Sequence, residues 1–274
     1  MPRTETLLSW NMGCGLRAKT DATVVERRLK LLAAMVQQVS PTLIALQEAP
    51  AESELLVALG TRFSVLRTTG GVAAVHDNRL WSSDSQDIAN PRMAVLGLRA
   101  VGAGTALWIL SIHGPALYVD EYDKRRFVRS IAERLKALRV VDSLRREIVA
   151  GDMNLPPFDQ TVMRSDGLHA SRCLPWSSDR KTGIDRALFN PTWQLLGRHS
   201  GASGTFYQSD IAFDGPWCAI DQIMLSPDLA DGGHSIDILD SVNGATLRTR
   251  GRIGAPDSGI GSDHLPLLAT LTVP

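Results

Sequence analysis

The chain has 274 residues, 44% of them hydrophobic and 21% charged, the make-up of a globular protein rather than a disordered or membrane-embedded one. Lys plus Arg and Asp plus Glu number 29 each, so the formal net charge is zero and no protein-wide positive field can draw in a polyanion; a phosphate-rich partner must be held by local groups. Three cysteines, Cys14, Cys173 and Cys218, are too few for a disulfide framework and form no C-x-x-C pair, which points to a reducing compartment.

From the N-terminus, MPRTETLLSWN shows no basic segment leading into an apolar core, and no apolar run reaches the ~18 residues of a membrane span, so a cytoplasmic protein with no integral membrane segment is expected. Strands are expected at Leu7–Trp10, Leu43–Leu46, Val72–Val75, Met93–Leu98, Leu107–Ile112, Ile148–Ala150, Ile220–Leu225 and Leu265–Leu271. Several are apolar on both faces, as strands between two layers must be. Helices are expected at Ala22–Val39, stopped by the Ser40-Pro41 pair, at Ala51–Leu59 and at Glu121–Leu144. In the last, Phe127, Ile131, Leu135 and Leu138 gather on one stripe and leave Lys124, Arg125, Arg129, Lys136 and Arg139 as a solvated face. Between Ser165 and Pro216 the periodicity is lost, and long loops are expected there, of a length that often carries function. With no repeat, low-complexity tract or linker, the chain reads as a single α/β domain over residues 1–274.

The isolated polar residues fall where apolar strands run out. Asn11 ends LLSWN, Glu48 ends LIALQE, His113 ends LWILSIH, and Asp152 with Asn154 ends EIVAGDMN. Asp221 opens DQIML, and Asp263 with His264 precedes LPLLATL. Strand ends are held rigidly by the sheet and are where α/β proteins assemble chemistry, so six such segments imply a convergent site. Asparagine with several carboxylates and no thiolate pair is an oxygen-rich set suited to Mg²⁺ or Mn²⁺. Such a cation implies phosphate chemistry, in which a carboxylate or an Asp-supported His deprotonates an attacking water. Signatures of P-loop NTPases, zincins, α/β-hydrolases and dinucleotide-binding enzymes are absent.

The segments SWN at 9–11, LQE at 46–48, SIHGP at 111–115, GDMN at 151–154, IDQI at 220–223 and GSDH at 261–264 resemble, in order and spacing, the motif series of the endonuclease/exonuclease/phosphatase (DNase-I-like) superfamily. The resemblance implies a four-layer α/β/β/α sandwich of two mixed sheets flanked by helices. It implies that Asn11, Glu48 and Asp263 form the metal site and that Asp152 and Asn154 orient the water and contact phosphate. Asp221 then orients the catalytic His264, and His113 contacts phosphate or serves as an acid. Met12-Gly13 follows Asn11 where exonuclease III and apurinic endonucleases place a carboxylate, and His113 stands where they use a Tyr. Both differences move the reading toward the DNase-I-like side, whose supporting upstream acid has Asp77 as its candidate here.

Taken singly, Asn11 and the Asp152–Asn154 pair also read as turn formers, and Glu48 as a residue near a helix start. An acid at Asp221, within an apolar strand, must be paired or coordinated. His76, His169, His199 and His234 fall in no motif and take ordinary surface or core roles. Trp176, Trp193 and Trp217 either stack on a base or pack beneath loops, and Arg248, Arg250 and Arg252 either bind phosphate or line a solvated strand. The expected function is a Mg²⁺- or Mn²⁺-dependent phosphodiesterase, a nuclease acting on DNA or RNA, with Asp152 and His264 both open as the base. The alternatives are a phosphatase or phosphodiesterase acting on a lipid or small-molecule phosphoester, and a binding module that has lost catalysis.

Overall fold

A strand buried on both faces needs a layer on each side, and the first strand meets that condition: Leu7, Leu8, Ser9, Trp10 and Asn11 are all buried. The computed structural model describes residues 3–15, 21–179, 183–198, 201–208, 215–251 and 254–273. In chain order the elements are β1 (Arg3–Asn11), α1 (Ala22–Val39), β2 (Leu43–Gln47), α2 (Glu52–Leu59), β3 (Phe63–Arg67), β4 (Ala73–Asp77), β5 (Trp81–Asp87), β6 (Met93–Ala100), β7 (Ala106–His113), α3 (Glu121–Val141) and β8 (Arg146–Asp152). There follow α4 (Gln160–Met163), β9 (Ala170–Ser171), α5 (Leu174–Ser178), β10 (Leu188–Phe189), α6 (Trp193–Leu196), β11 (Phe206–Tyr207), β12 (Trp217–Cys218) and β13 (Asp221–Leu225). The chain closes with α7 (Pro227–Asp231), β14 (His234–Ile238), the small β15 (Ser241–Val242) and β16 (Ala245–Thr246) pair, and β17 (Leu267–Val273).

The strands form a six-stranded sheet in the order β14-β17-β1-β2-β4-β3 and a seven-stranded sheet in the order β5-β6-β7-β8-β13-β10-β9. Both are mixed: β1 and β2 are parallel, as are β7 and β8, and α1 and α3 lie in the two crossovers that parallel pairing requires. The period-2 alternation of side chains separates two cores. Leu107, Ile109, Ile148, Ala150, Ile223 and Leu225 point into the layer shared with the first sheet, whose inner face carries Leu7, Leu43 and Ala45 in line with Asn11 and Gln47. Their neighbours Trp108, Leu110, Val149 and Met224 point outward onto Phe127, Val128, Ile131, Leu135 and Leu138 of α3. On the other side, α1 buries Leu32, Met35 and Val36. The expected four-layer α/β architecture is the one observed.

The centres of the sheets and α1 fall where the sequence places them; α1 ends on Ser40 in the left-handed conformation, just before Pro41. α3 stops at Val141 rather than Leu144, because Asp142 adopts extended geometry and Leu144 stands 88% exposed. Arg139 does not belong to the solvated face. It is buried on β8, where Glu147 accepts from its Nε and Nη2 at 2.8 and 2.9 Å and shares its charge with Arg186. The 165–216 region is not loop throughout, since β9 and β10 extend the second sheet beyond β13.

The rim where β1, β2, β7 and β8 end is closed tightly. Gln47 Nε2 donates to Ser111 Oγ across the two sheets at 3.2 Å. Gly151 lies just beneath, at φ +142°, where an added Cβ would stand 2.1 Å from the Ile112 carbonyl oxygen and 2.7 Å from Gln47 Nε2. Gly151→Ala is therefore expected to lower the unfolding free energy by at least about 2 kcal/mol, measured by urea denaturation; an unchanged midpoint would contradict this packing.

Candidate active site

Parallel pairing of β1 with β2 and of β7 with β8 delivers four strand ends to one rim, and β13 runs antiparallel to β8 so that Asp221 enters opposite Asp152. The residues that leave these strands meet there. Asn11 Nδ2 donates to Asp152 Oδ2 at 3.0 Å, joining the two sheets, while Asn11 Oδ1 accepts from the Gly13 amide at 3.0 Å. Asp152 Oδ1 accepts from the Asn154 amide at 2.8 Å, and Asn154, in the left-handed region at φ 51°, donates its Nδ2 to the Gly114 carbonyl at 3.3 Å. His113, opposite Asp152 in the β7–β8 register, has Nε2 3.8 Å from Asp152 Oδ2 and 3.9 Å from Glu48 Oε1.

His264 forms the other wall. Its Nδ1 is 2.8 Å from Asp221 Oδ2, and its Nε2 faces Asp152 Oδ2 at 3.9 Å. Trp10 Nε1 donates to the His264 carbonyl at 3.2 Å, and the Phe206 ring lies against the imidazole with centroids 4.8 Å apart. Asp263 precedes it, with Ser262 Oγ 3.1 Å from its Oδ1. A cleft of about 960 Å³ opens over this set, lined by Asn11, Glu48, His113, Asp152, Asn154, Asp263 and His264. Asp221 is buried behind His264, and its Oδ1 has no hydrogen-bond partner among the described residues. All eight expected residues thus belong to one centre.

Burial sets the electrostatics. Asp152 is pushed above the usual carboxylate range, first by desolvation and then by the nearby Asp221 charge. Burial alone would push the His264 imidazole down, but the Asp221 carboxylate, by charge and hydrogen bond, outweighs it; with Asp152 and Asp263 it raises His264 to about 10. His264 is therefore an imidazolium at neutral pH in the metal-free protein.

The donor chemistry fits a hard divalent cation. Glu48, Asp263 and Asn11 offer oxygen ligands to the same cleft. Glu48 is also cradled by backbone, since a Cβ at Gly15 would stand 2.5 Å from its Oε2. Ligand atoms of Asp152, Asp221 and His264 also lie within 4.8 Å of one another. Within that second group His264 Nδ1 and Asp221 Oδ2 already satisfy each other, which suits proton handling.

Some expectations fail. Asp77 does not support His113; it lies at the far end of β4, where β4 pairs antiparallel with the start of β2, and is held by Arg62 at 2.7 Å and Arg79 at 2.9 Å. Arg248 does not line the cleft but donates to the Gly254 carbonyl at 2.7 Å and sits over the Trp217 ring. Arg252 and His199 lie outside the described residues. Conversely, Arg92, Tyr118 and Phe206 line the cleft without having been singled out. Arg92 was legible in principle: it precedes β6, whose antiparallel register with β7 sets it beside His113, and its Nη1 donates to the Gly114 carbonyl at 2.9 Å.

A sequence model of the endonuclease/exonuclease/phosphatase family matches residues 8–264, and the chain belongs to that family. Members are phosphoesterases that depend on divalent metal. A search of curated protein sequences gave no match. Among solved structures, an endonuclease/exonuclease/phosphatase family protein from Bacteroides thetaiotaomicron is similar over 100% of this chain and 99% of its own, with a TM-score of 0.69 and 16% identity. The mannosyl-6-phosphatase Bt3783 of the same species matches over 97% and 99%, with a TM-score of 0.65 and 15% identity. D. rerio TDP2 complexed with a single-strand DNA product matches over 98% of each chain, with a TM-score of 0.63 and 15% identity. At these identities the likeness is one of fold.

Because the folded value of His264 stands above its ordinary 6.5, its ion pair stabilises fully below about pH 6.5 and the contribution is lost as pH rises toward 10. In the metal-free protein the imidazole should stay protonated through about pH 8 by NMR, and Asp221→Asn should return its titration toward the neutral range. A wild-type titration near 6.5 would contradict the geometry.

Proposed function

We propose that this chain is a divalent-metal-dependent phosphodiesterase that hydrolyses nucleic acid, DNA or RNA, by in-line attack of water. The observation that carries the reading is the Asp221–His264–Asp152 array, hydrogen-bonded through Asn11 to the edge of an oxygen-donor set at one rim. Asn11, Glu48 and Asp263 would hold Mg²⁺ or Mn²⁺. When bound, that cation supplies Lewis-acid stabilisation of phosphoryl charge. Asp152, a raised carboxyl fixed by Asn11 and the Asn154 amide, orients the water and takes its proton. His264, oriented by Asp221, binds a non-bridging phosphoryl oxygen, and the two titrations are coupled. His113 and Asn154 adjoin Asp152 and would contact phosphate or protonate the leaving oxygen.

Three features support nucleic acid as the substrate. The cleft is at the upper end of the size range of small-ligand sites. Arg92, Tyr118 and Phe206 on its walls supply phosphate pairing and stacking surface. A protein of the same fold, D. rerio TDP2, was solved with single-strand DNA product. The same centre would act on a small phosphoester, and the structural likeness to a mannosyl-6-phosphatase keeps that second reading in the test.

The test is hydrolysis of single- and double-stranded DNA, RNA, inositol phosphates, mannose 6-phosphate and bis(p-nitrophenyl) phosphate with Mg²⁺ or Mn²⁺. Oligonucleotides should be cleaved with a log–log salt slope of about −0.7 for each phosphate contacted on a single strand. His264→Ala and Asp221→Asn should each reduce turnover roughly 10²–10⁴-fold while the thermal transition stays cooperative. Near-normal rates in either variant would remove the mechanism, and activity confined to small monoesters would transfer the assignment to the second reading.

A further inference from the structure

A second concavity lies on the far edge of the seven-stranded sheet. It measures about 510 Å³ and is lined by Met163, Arg172, Cys173, Trp176 and Trp193 with the strand residues of β9 between them. Trp176 is 36% exposed, with its ring packed edge-on against His169 at 5.1 Å between centroids, Met163 is 38% exposed and Cys173 is exposed, so part of the lining faces solvent. The Arg172 guanidinium sits 5.3 Å from the Trp193 ring centroid and forms no ion pair with another described residue. Two indoles and an arginine with no acid beside it form a surface for a planar base carrying a neighbouring phosphate.

Its place in the fold ties it to the site. β10 meets β13 at Phe189 opposite Leu225, four residues from Asp221, and the chain then runs back along β13, with Thr192 Oγ1 accepting from the Ile223 amide at 3.1 Å, which carries Trp193 toward the rim. Phe158 follows Asn154 by four residues, a reach of at most about 14 Å, and its ring centroid is 6.2 Å from that of Trp193. Arg92 and Tyr118 flank the cleft on the β6–β7 side, whereas the tryptophan pocket lies on the β9–β10 side. A polymer longer than the cleft would reach both, and a monoester would reach only the cleft.

We infer that the Trp176–Trp193–Arg172 pocket is a base-stacking subsite for a single-stranded nucleic-acid substrate, an inference that rests on the proposed function. It makes the enzyme sensitive to strand length. The test compares wild type with Trp176→Ala and Trp176→Phe on a dinucleotide, a longer single-stranded oligonucleotide and bis(p-nitrophenyl) phosphate. The alanine variant should raise KM for the longer strand roughly 5- to 150-fold, leave the other two substrates unchanged, and be rescued in large part by phenylalanine. Equal losses on all three substrates, or an unchanged KM for the long strand, would overturn the inference.

A binding arm separates this inference from the assignment it rests on. In metal-free Asp221→Asn protein, the oligonucleotide should quench tryptophan fluorescence and slow alkylation of Cys173 as read by mass spectrometry. If wild type fails to cleave the strand yet quenching and protection occur, the nuclease assignment falls and the subsite stands. If it cleaves the strand with neither effect, the subsite alone falls. If cleavage, quenching and protection are all absent, both fall.

Discussion

The hydrogen bond from Asn11 to Asp152 spans the two sheets at their shared rim, and the chemistry of this protein depends on the packing that makes it possible. Each sheet brings one parallel pair to the rim, β1–β2 and β7–β8, and parallel strands deliver their C-terminal ends to the same side. Face-to-face packing then sets the two pairs of ends against each other. Asn11 and Glu48 come from one sheet and His113, Asp152 and Asp221 from the other; neither sheet alone holds a complete set.

That arrangement concentrates acid in a small space. Asp152 and Asp221 are buried and adjacent, with Glu48 and Asp263 at the mouth. Burying like charges is costly unless they are neutralised, and three devices do so. Asp152 is raised toward its neutral form, the His264 imidazolium pairs with Asp221, and a cation held by the remaining oxygen donors, as proposed above, would supply the third. The charge pattern of the site is thus itself a reason for metal affinity, and Arg92 on the cleft wall is tied by one nitrogen to the Gly114 carbonyl.

The legibility of the chain follows burial. β1, β2, β4, β6, β7, β8, β13 and β17 are central or well-buried strands, and their apolar runs are plain in the sequence. β3, β5 and β14 are edge strands and escape that reading: Ser-Ser-Asp-Ser-Gln-Asp in β5 and His-Ser-Ile-Asp-Ile in β14 face solvent on one side and resemble loop. β9 and β10, two residues each, are too short to show a period. The eight candidate residues were legible because each is a polar residue abutting an apolar strand end. Arg139 misled because a buried arginine paired with Glu147 is indistinguishable by spacing from a surface one. Asp77 misled because a carboxylate after an apolar strand is informative only once the strand's direction is known, and β4 runs antiparallel to β2.

The central claim is that side chains from separate strands and both sheets gather around one hard cation. Mn²⁺ titration of the wild-type protein and Glu48→Gln, followed by electron paramagnetic resonance, tests it without relying on turnover. Saturable binding that Glu48→Gln weakens at least about tenfold, with the fold intact, is the predicted result. Wild-type protein that takes up no Mn²⁺, or a variant that binds it as tightly as wild type, would contradict the account.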